Sequence, residues 1–321
     1  MTPREKRILE RVDLVELIAQ QVRARLMAGG DGPGHTRAVS GAASLKTHTP
    51  EALRQISCTE SDPDDCSSCG MCAVRRPEDV RAVARAGAAR VAGGPNMGKV
   101  DADLAGMIDH TLLKPEATRK ELYTLAQEAR QFNFATVCVN SSNVSLMKQF
   151  LSGSSVPVCA VVGFPLGAMT PRAKAYETRE AIRCGASEID MVVNIGALKS
   201  GDYGLVLADI ESVVQAARTV PVKVIIETSK LNEHEKVIAC ALSKAAHAAF
   251  VKTSTGFGGG GATAEHIALM RAVVGPQMGV KASGGVRSRE DAQNMIKAGA
   301  TRLGASASVA IVTGGKSTSA Y

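Results

Sequence analysis

From residue 101 onward, short runs of β-branched and apolar residues alternate with longer segments whose apolar positions recur every three or four residues. The first kind predicts strands buried on both faces, the second amphipathic helices. The strand candidates are MID (107–109), ATVCV (135–139), VCAVVG (158–163), EIDMVV (188–193), VKVIIE (222–227), AAFVK (248–252), GVKA (279–282) and TRLGA (301–305). Helical segments fall between them at 117–130, 171–186, 203–218, 233–246, 264–274 and 288–300. Strand–helix alternation repeated eight times over about 220 residues predicts an α/β fold of the (β/α)8 TIM-barrel type, spanning 101–314. An open doubly wound sheet is the alternative, but no G-x-G-x-x-G turn follows the first strand.

The first hundred residues follow another pattern. Ile8, Val12, Val15, Ile18, Val22 and Leu26 recur at helical spacing, with Leu9, Leu14 and Leu17 alongside, so residues 1–27 predict an amphipathic helix. A linker rich in Gly, Ser, Thr and Ala follows over 28–57. A stripe on so loose a tether is expected to dock elsewhere, and the arrangement resembles the encapsulation peptides that bind shell proteins of bacterial microcompartments. An oligomerisation helix, or a poorly ordered one, is the other reading. Residues 58–100 form a cysteine-rich module with Cys58, Cys66, Cys69 and Cys72. Thiols at two-residue gaps suit an iron–sulfur cluster or zinc, although no fourth cysteine follows at the ferredoxin spacing. A reactive thiol cluster without metal is the alternative.

Composition narrows the partners. A net charge of +7 without a basic block, and only 3% aromatics, leave nucleic-acid binding without its electrostatic footprint or stacking platform. Mild basicity suits a small anionic substrate. The N-terminal segment is charged throughout and no apolar run approaches the ~20 residues of a membrane span, so a soluble cytoplasmic chain is expected. Eight cysteines in such a chain argue against a disulfide framework. A homo-oligomer, dimer or higher, is also expected.

Candidate chemistry centres on Lys252 and Lys281, each near the end of an apolar run and followed by small residues. In a parallel barrel that end carries the active site. Lysine is seldom buried unless paired or used. A free amine with a pKa near 10.4 is neutral in about one molecule in 2,500 at pH 7. A second cation nearby, with desolvation, lowers that value, and ~3 units raise the nucleophilic fraction about a thousandfold. This is the usual route to a Schiff-base amine. Asp109, Asn140, Asp190, Glu227 and Gly304 are expected on the same face, near strand ends. No His/Cys/Asp set with catalytic metal spacing falls in the loops, so imine chemistry is expected and no cofactor for it. Gly256, Gly284, Gly285 and Gly304, with Arg287 and Ser306, cluster after the last three strands, where barrels commonly cradle phosphate.

FVKTSTGF (250–257), KASGGVR (281–287), EIDMVVNIGALKSGDY (188–203), IDHTLL (108–113) and LGAS (303–306) resemble, in order across ~101–313, the motifs of the deoxyribose-phosphate aldolases. The resemblance implies that Lys252 forms the Schiff base, Lys281 lowers its pKa, and Asp190 relays protons through water. It also implies a class I enzyme that interconverts 2-deoxy-D-ribose 5-phosphate with D-glyceraldehyde 3-phosphate and acetaldehyde. Phe257 departs from members with a lysine there, which leaves part of the phosphate charge to Arg287 and backbone. The C-terminal GGKSTSAY (314–321), which includes the tail at 315–321, resembles tails whose terminal tyrosine reaches the site, which gives Tyr321 a proton-relay role. Another Schiff-base sugar-phosphate aldolase, or a microcompartment structural or redox component with an aldolase-like barrel, are the competing readings.

Overall fold

The computed structural model describes residues 102–315. Strands β1 (Ile108–Leu112), β2 (Thr136–Val139), β3 (Val158–Val162), β4 (Ala186–Val192), β5 (Val222–Ile225), β6 (Phe250–Lys252), β7 (Gly279–Ser283) and β8 (Arg302–Ala305) pair in parallel in chain order. β8 returns to pair with β1, so the expected barrel is closed and no strand edge is left open. β5 stops two residues before the predicted strand does. Glu227 there takes a left-handed conformation (φ 57°) and leads into a tight turn at Thr228–Lys230.

The outer ring contains α1 (Ala102–Ala105), α2 (Arg119–Phe132), α3 (Val144–Phe150), α4 (Pro171–Arg183), α5 (Ile195–Lys199), α6 (Tyr203–Ala217), α7 (Glu233–Ala245), α8 (Ala264–Val274), α9 (Arg289–Lys297) and α10 (Ser308–Thr313). The six longer predicted helices are all there. The four that periodicity missed, α1, α3, α5 and α10, have seven residues or fewer, too short to repeat a 3.6-residue pattern. Local chemistry fixes the helix starts. Thr118 with Glu121, Asn232 with Glu235, and Ser288 with Asp291 form reciprocal capping boxes at α2, α7 and α9. Leu122, Leu125, Ala126, Ala129 and Phe132 then line the buried face of α2.

The two-residue period of each strand divides its side chains between two environments. Val137, Val139, Val158, Ala160, Ile189, Met191, Val222, Val224, Val251, Val280, Ala282 and Leu303 join the apolar layer between sheet and helices. The residues of opposite parity turn inward. On one side of the interior, Leu113, Cys138, Cys159 and Val161 form a small apolar cluster with Phe164 against it. The other side holds Asp109, Glu188, Asp190, Lys223, Lys252, Lys281 and Arg302. Barrel interiors are normally filled with layers of branched apolar side chains, so this charged half marks the site.

The expected helix at 1–27, the linker, the module with Cys58, Cys66, Cys69 and Cys72, and the tail ending in Tyr321 lie outside the described residues. No helix among the described residues is long and apolar enough to cross a membrane.

Candidate active site

Lys252 is the last residue of β6, and its buried amine lies at a cleft of about 340 Å³ opening beyond the strand ends. It donates to Asp190 Oδ2 at 2.8 Å. Lys281, the register partner of Lys252 on β7, donates to the same oxygen at 2.7 Å and pairs with Asp109 Oδ2 at 2.5 Å. The two lysines predicted from sequence therefore share one carboxylate oxygen. Asp109 and Asp190 sit deeper than expected. Asp109 is the second residue of β1 and Asp190 the fifth of β4, so both lie below the strand ends.

The ion pairs continue beneath the cleft until they close on themselves. Asp109 Oδ1 accepts from Arg302 at 2.6 Å, and Arg302 also donates to both oxygens of Glu188 at 3.0 and 3.2 Å. Glu188 Oε2 lies 2.6 Å from Lys223 Nζ, which donates to Asp190 Oδ1 at 2.7 Å. Carboxylates and cations alternate around this ring, and Lys252 hangs from it at Asp190. Below it, Phe250 lies 6.0 Å from the Lys223 amine and 5.4 Å from the Arg302 guanidinium. Gly279 makes room for that ring, since a Cβ there would fall 2.1 Å from Phe250.

The ring favours the charged forms of its four fully buried members. Burial alone raises the Asp190 carboxyl, but Lys223, Lys252 and Lys281 outweigh it and hold Asp190 well below the usual carboxylate range. Asp109 is held low against burial by Lys281, Lys223 and Arg302. For Lys223, burial favours the neutral amine, while Asp190, Cys159, Asp109 and Glu188 reverse that effect and push it well above the usual lysine value. Lys281 is likewise held high by Asp109 and Asp190 against burial. The neighbouring carboxylates thus favour the charged form of Lys281 beside Lys252.

Sequence reasoning missed Lys223, Glu188 and Arg302. The signal was present: each is a charged residue of inward parity in a strand whose other parity is apolar, and Glu188 and Asp190 share one face of β4. It also missed the interior thiols. Cys138 and Cys159 are register partners on β2 and β3, and their sulfurs lie with an Asp190 oxygen within 4.8 Å of one another. Such a set could hold a metal, but the Lys223 ammonium reaches Asp190 Oδ1 at 2.7 Å and Cys159 at 3.4 Å and takes the cation's place.

The cleft is lined by Thr111, Leu113, Lys252 and Thr255 on the amine side, and by Gly256, Gly284, Gly285, Arg287, Gly304 and Ser306 among the late loops. The expected glycine, arginine and serine set is therefore together beside Lys252. Gly284 and Gly285 have φ of 82° and 79°, and a Cβ on neighbouring Gly261 would meet Gly284 O at 2.5 Å, so these loops pack backbone to backbone. Gly304 has a second duty. A Cβ there would stand 2.3 Å from Ser283 Oγ and 2.9 Å from Lys281 Cε, so its bareness lets the Lys281 stem reach the ring. Gly304→Ala is expected to lower kcat by about 10-fold or more through displaced Lys281, measured by steady-state kinetics; an unchanged kcat would refute that role.

Three expected face residues are placed differently. Glu227 does not line the cleft; it accepts from the Thr255 amide at 3.1 Å and from the Thr255 hydroxyl, and so braces the loop after β6. Asn140 bridges the loops after β2 and β1 by donating to Leu113 O at 3.0 Å. Asp109 belongs to the ring beneath. In each case a nearby hydrogen-bond or ion-pair partner holds the side chain away from the cleft. Phe257 packs edge-on to Phe164 with ring centroids 5.3 Å apart and does not line the cleft.

A family model described as DeoC/LacD family aldolase matches residues 104–316. Deoxyribose-phosphate aldolase of Streptococcus gordonii is 61% identical over 207 residues, covering 64% of this chain and 94% of that one. The Clostridium perfringens enzyme of the same name is 60% identical over 219 residues, 68% of this chain and 98% of its own. Among solved structures, the tetrameric deoxyribose phosphate aldolase of Aeropyrum pernix superposes with a TM-score of 0.62 at 32% identity, covering 66% of this chain and 90% of that one.

Proposed function

The chain belongs to the DeoC/LacD family of aldolases, and from that membership we propose that it cleaves 2-deoxy-D-ribose 5-phosphate reversibly to D-glyceraldehyde 3-phosphate and acetaldehyde. The observation that carries the reading is the Lys252 amine, buried at the cleft and bonded to the Asp190 oxygen it shares with Lys281. Lys252 adds to the C1 aldehyde of the open-chain sugar and loses water to give a protonated imine. The imine draws the electrons of the C2–C3 bond as the C3 hydroxyl gives up its proton, and glyceraldehyde 3-phosphate leaves. Protonation of the remaining enamine and hydrolysis by water release acetaldehyde and the free amine. Asp190 holds the iminium charge and passes protons through water. A carboxylate held so low is a weak base, so its electrostatic part is the larger one.

Borohydride reduction in the presence of acetaldehyde, followed by peptide mass spectrometry, tests reaction and residue together. A stable adduct on Lys252 is expected; an adduct on Lys281 reverses the assignment, and acetaldehyde-free turnover would favour a transaldolase-type or bisphosphate aldolase.

The phosphate of the substrate is assigned to Arg287, Ser306 and the backbone amides around Gly284, Gly285 and Gly304, beside Gly256. Arg287→Ala is expected to raise KM for the phosphorylated sugar about 10-fold and leave kcat/KM for unphosphorylated 2-deoxyribose nearly unchanged. Equal losses on both sugars would place the phosphate elsewhere.

For the rest of the chain, residues 1–27 are proposed to bind microcompartment shell proteins, Cys58, Cys66, Cys69 and Cys72 to hold an iron–sulfur cluster or zinc, and Tyr321 to close over the cleft as a proton relay. Association into a homo-oligomer is proposed as well, supported by the tetrameric A. pernix relative and by the exposed Tyr123, Leu166 and Tyr176. Since the ring and the named cleft residues all fall within 102–315, removal of residues 1–99 is expected to leave near-normal kinetics. An inactive barrel would make the extension part of the enzyme.

A further inference from the structure

We infer that Glu188 and Arg302, at the far end of the barrel interior from the cleft, set the pH at which Lys252 becomes a nucleophile. The inference rests on Lys252 being the imine-forming amine, and it asks what decides whether that amine carries a proton. The six-membered ring of Asp190, Lys281, Asp109, Arg302, Glu188 and Lys223 is electroneutral as it stands. A neutral Lys252 keeps the barrel interior neutral, whereas a charged one leaves it at one net positive charge. In a low-dielectric interior a single uncompensated charge is costly, so the ring's sum biases Lys252 towards the form that attacks an aldehyde.

Among the residues lining the cleft, Arg287 is the other charged one, and it lies outside the ring. Lys252 faces Asp190 on β4, Lys223 on β5 and Lys281 on β7, with Asp109 on β1 and Arg302 on β8 behind them. The residues turned inward from β2 and β3 are the thiols Cys138 and Cys159; Cys159 is held well above its ordinary range by burial, then by Cys138 and Asp190, whereas the hydrogen bond with Cys159 lowers Cys138. Glu227, beyond β5, is bonded to Thr255. Within the ring, four members have fully buried side chains, whereas Glu188 and Arg302 are 12% and 16% exposed. These two can lose charge with the least disruption. They touch neither substrate nor Lys252, so they are positioning residues whose influence passes through the ring.

The test exploits their opposite signs. Imine formation needs the neutral amine, so the acid limb of the kcat/KM profile reports loss of the proton from Lys252. Glu188→Gln removes a negative charge and is expected to move that limb about one pH unit lower; Arg302→Gln removes a positive one and moves it about one unit higher. The double variant restores neutrality, and its limb is expected to coincide with wild type, as are those of the charge-conserving Glu188→Asp and Arg302→Lys. Damaged packing alone would lower rates without moving the two limbs in opposite directions. Limbs that stay fixed or move together overturn the inference, as does a double variant displaced from wild type; if one single variant does not fold, the other decides, because its limb must move in its stated direction. The pH dependence of borohydride trapping with acetaldehyde follows the same amine directly. Trapping on another lysine would instead refute the Lys252 assignment, which keeps the two failures distinct.

Discussion

Lys252→Leu is expected to abolish both turnover and borohydride trapping, with kcat/KM falling by more than about 10⁴-fold, the scale at which a covalent nucleophile is lost. No other described lysine can take over. Lys281 and Lys223 are held as cations by two and three carboxylates respectively, and neither lines the cleft. The fold should survive, because the six-membered ring remains neutral without Lys252 and Asp190 keeps its bonds to Lys223 and Lys281. Purified variant with a wild-type circular-dichroism spectrum, assayed for acetaldehyde release, is the measurement. Residual activity above about 1% of wild type would move the nucleophile elsewhere.

Lys281→Leu is expected to injure both catalysis and stability, because it removes a cation from between two buried carboxylates. Asp109 and Asp190 then face each other with one partner fewer, and breaking a buried pair from one side costs about 3–5 kcal/mol. For catalysis the sign is fixed by the lost positive charge. Lys252 holds its proton to higher pH, so activity falls steeply at pH 7 and partly returns in alkaline buffer. An unchanged profile shape would refute this role of Lys281. For stability, both carboxyls have folded values well below the unfolded value of about 4. Their stabilisation is therefore full above about pH 4 and is lost as pH falls through the depressed folded values. The stability gap between wild type and variant, measured by urea unfolding, should be widest near neutrality and shrink in acid. A gap independent of pH would mean that the loss comes from packing alone.

Much of this protein was legible along the chain, and the reason is periodicity. Strand and helix periods are local properties, so eight strands and six long helices could be read before any contact was known. Lys252 and Lys281 were legible too, since a lysine inside an apolar strand pattern conflicts with burial unless it has a use. Tertiary structure alone decided which charges meet. Asp109 and Arg302 are 193 residues apart in sequence, and Arg302 and Glu188 114 apart; only barrel closure brings β1, β4 and β8 around one axis. Inward parity marked Glu188, Lys223 and Arg302 as unusual, but parity carries no information about partners. The same holds in reverse for Glu227 and Asn140, which the linear pattern put on the catalytic face. Hydrogen bonds from Thr255 to Glu227 and from Asn140 to Leu113 O, across loops that only the fold brings together, turned those side chains to bracing instead.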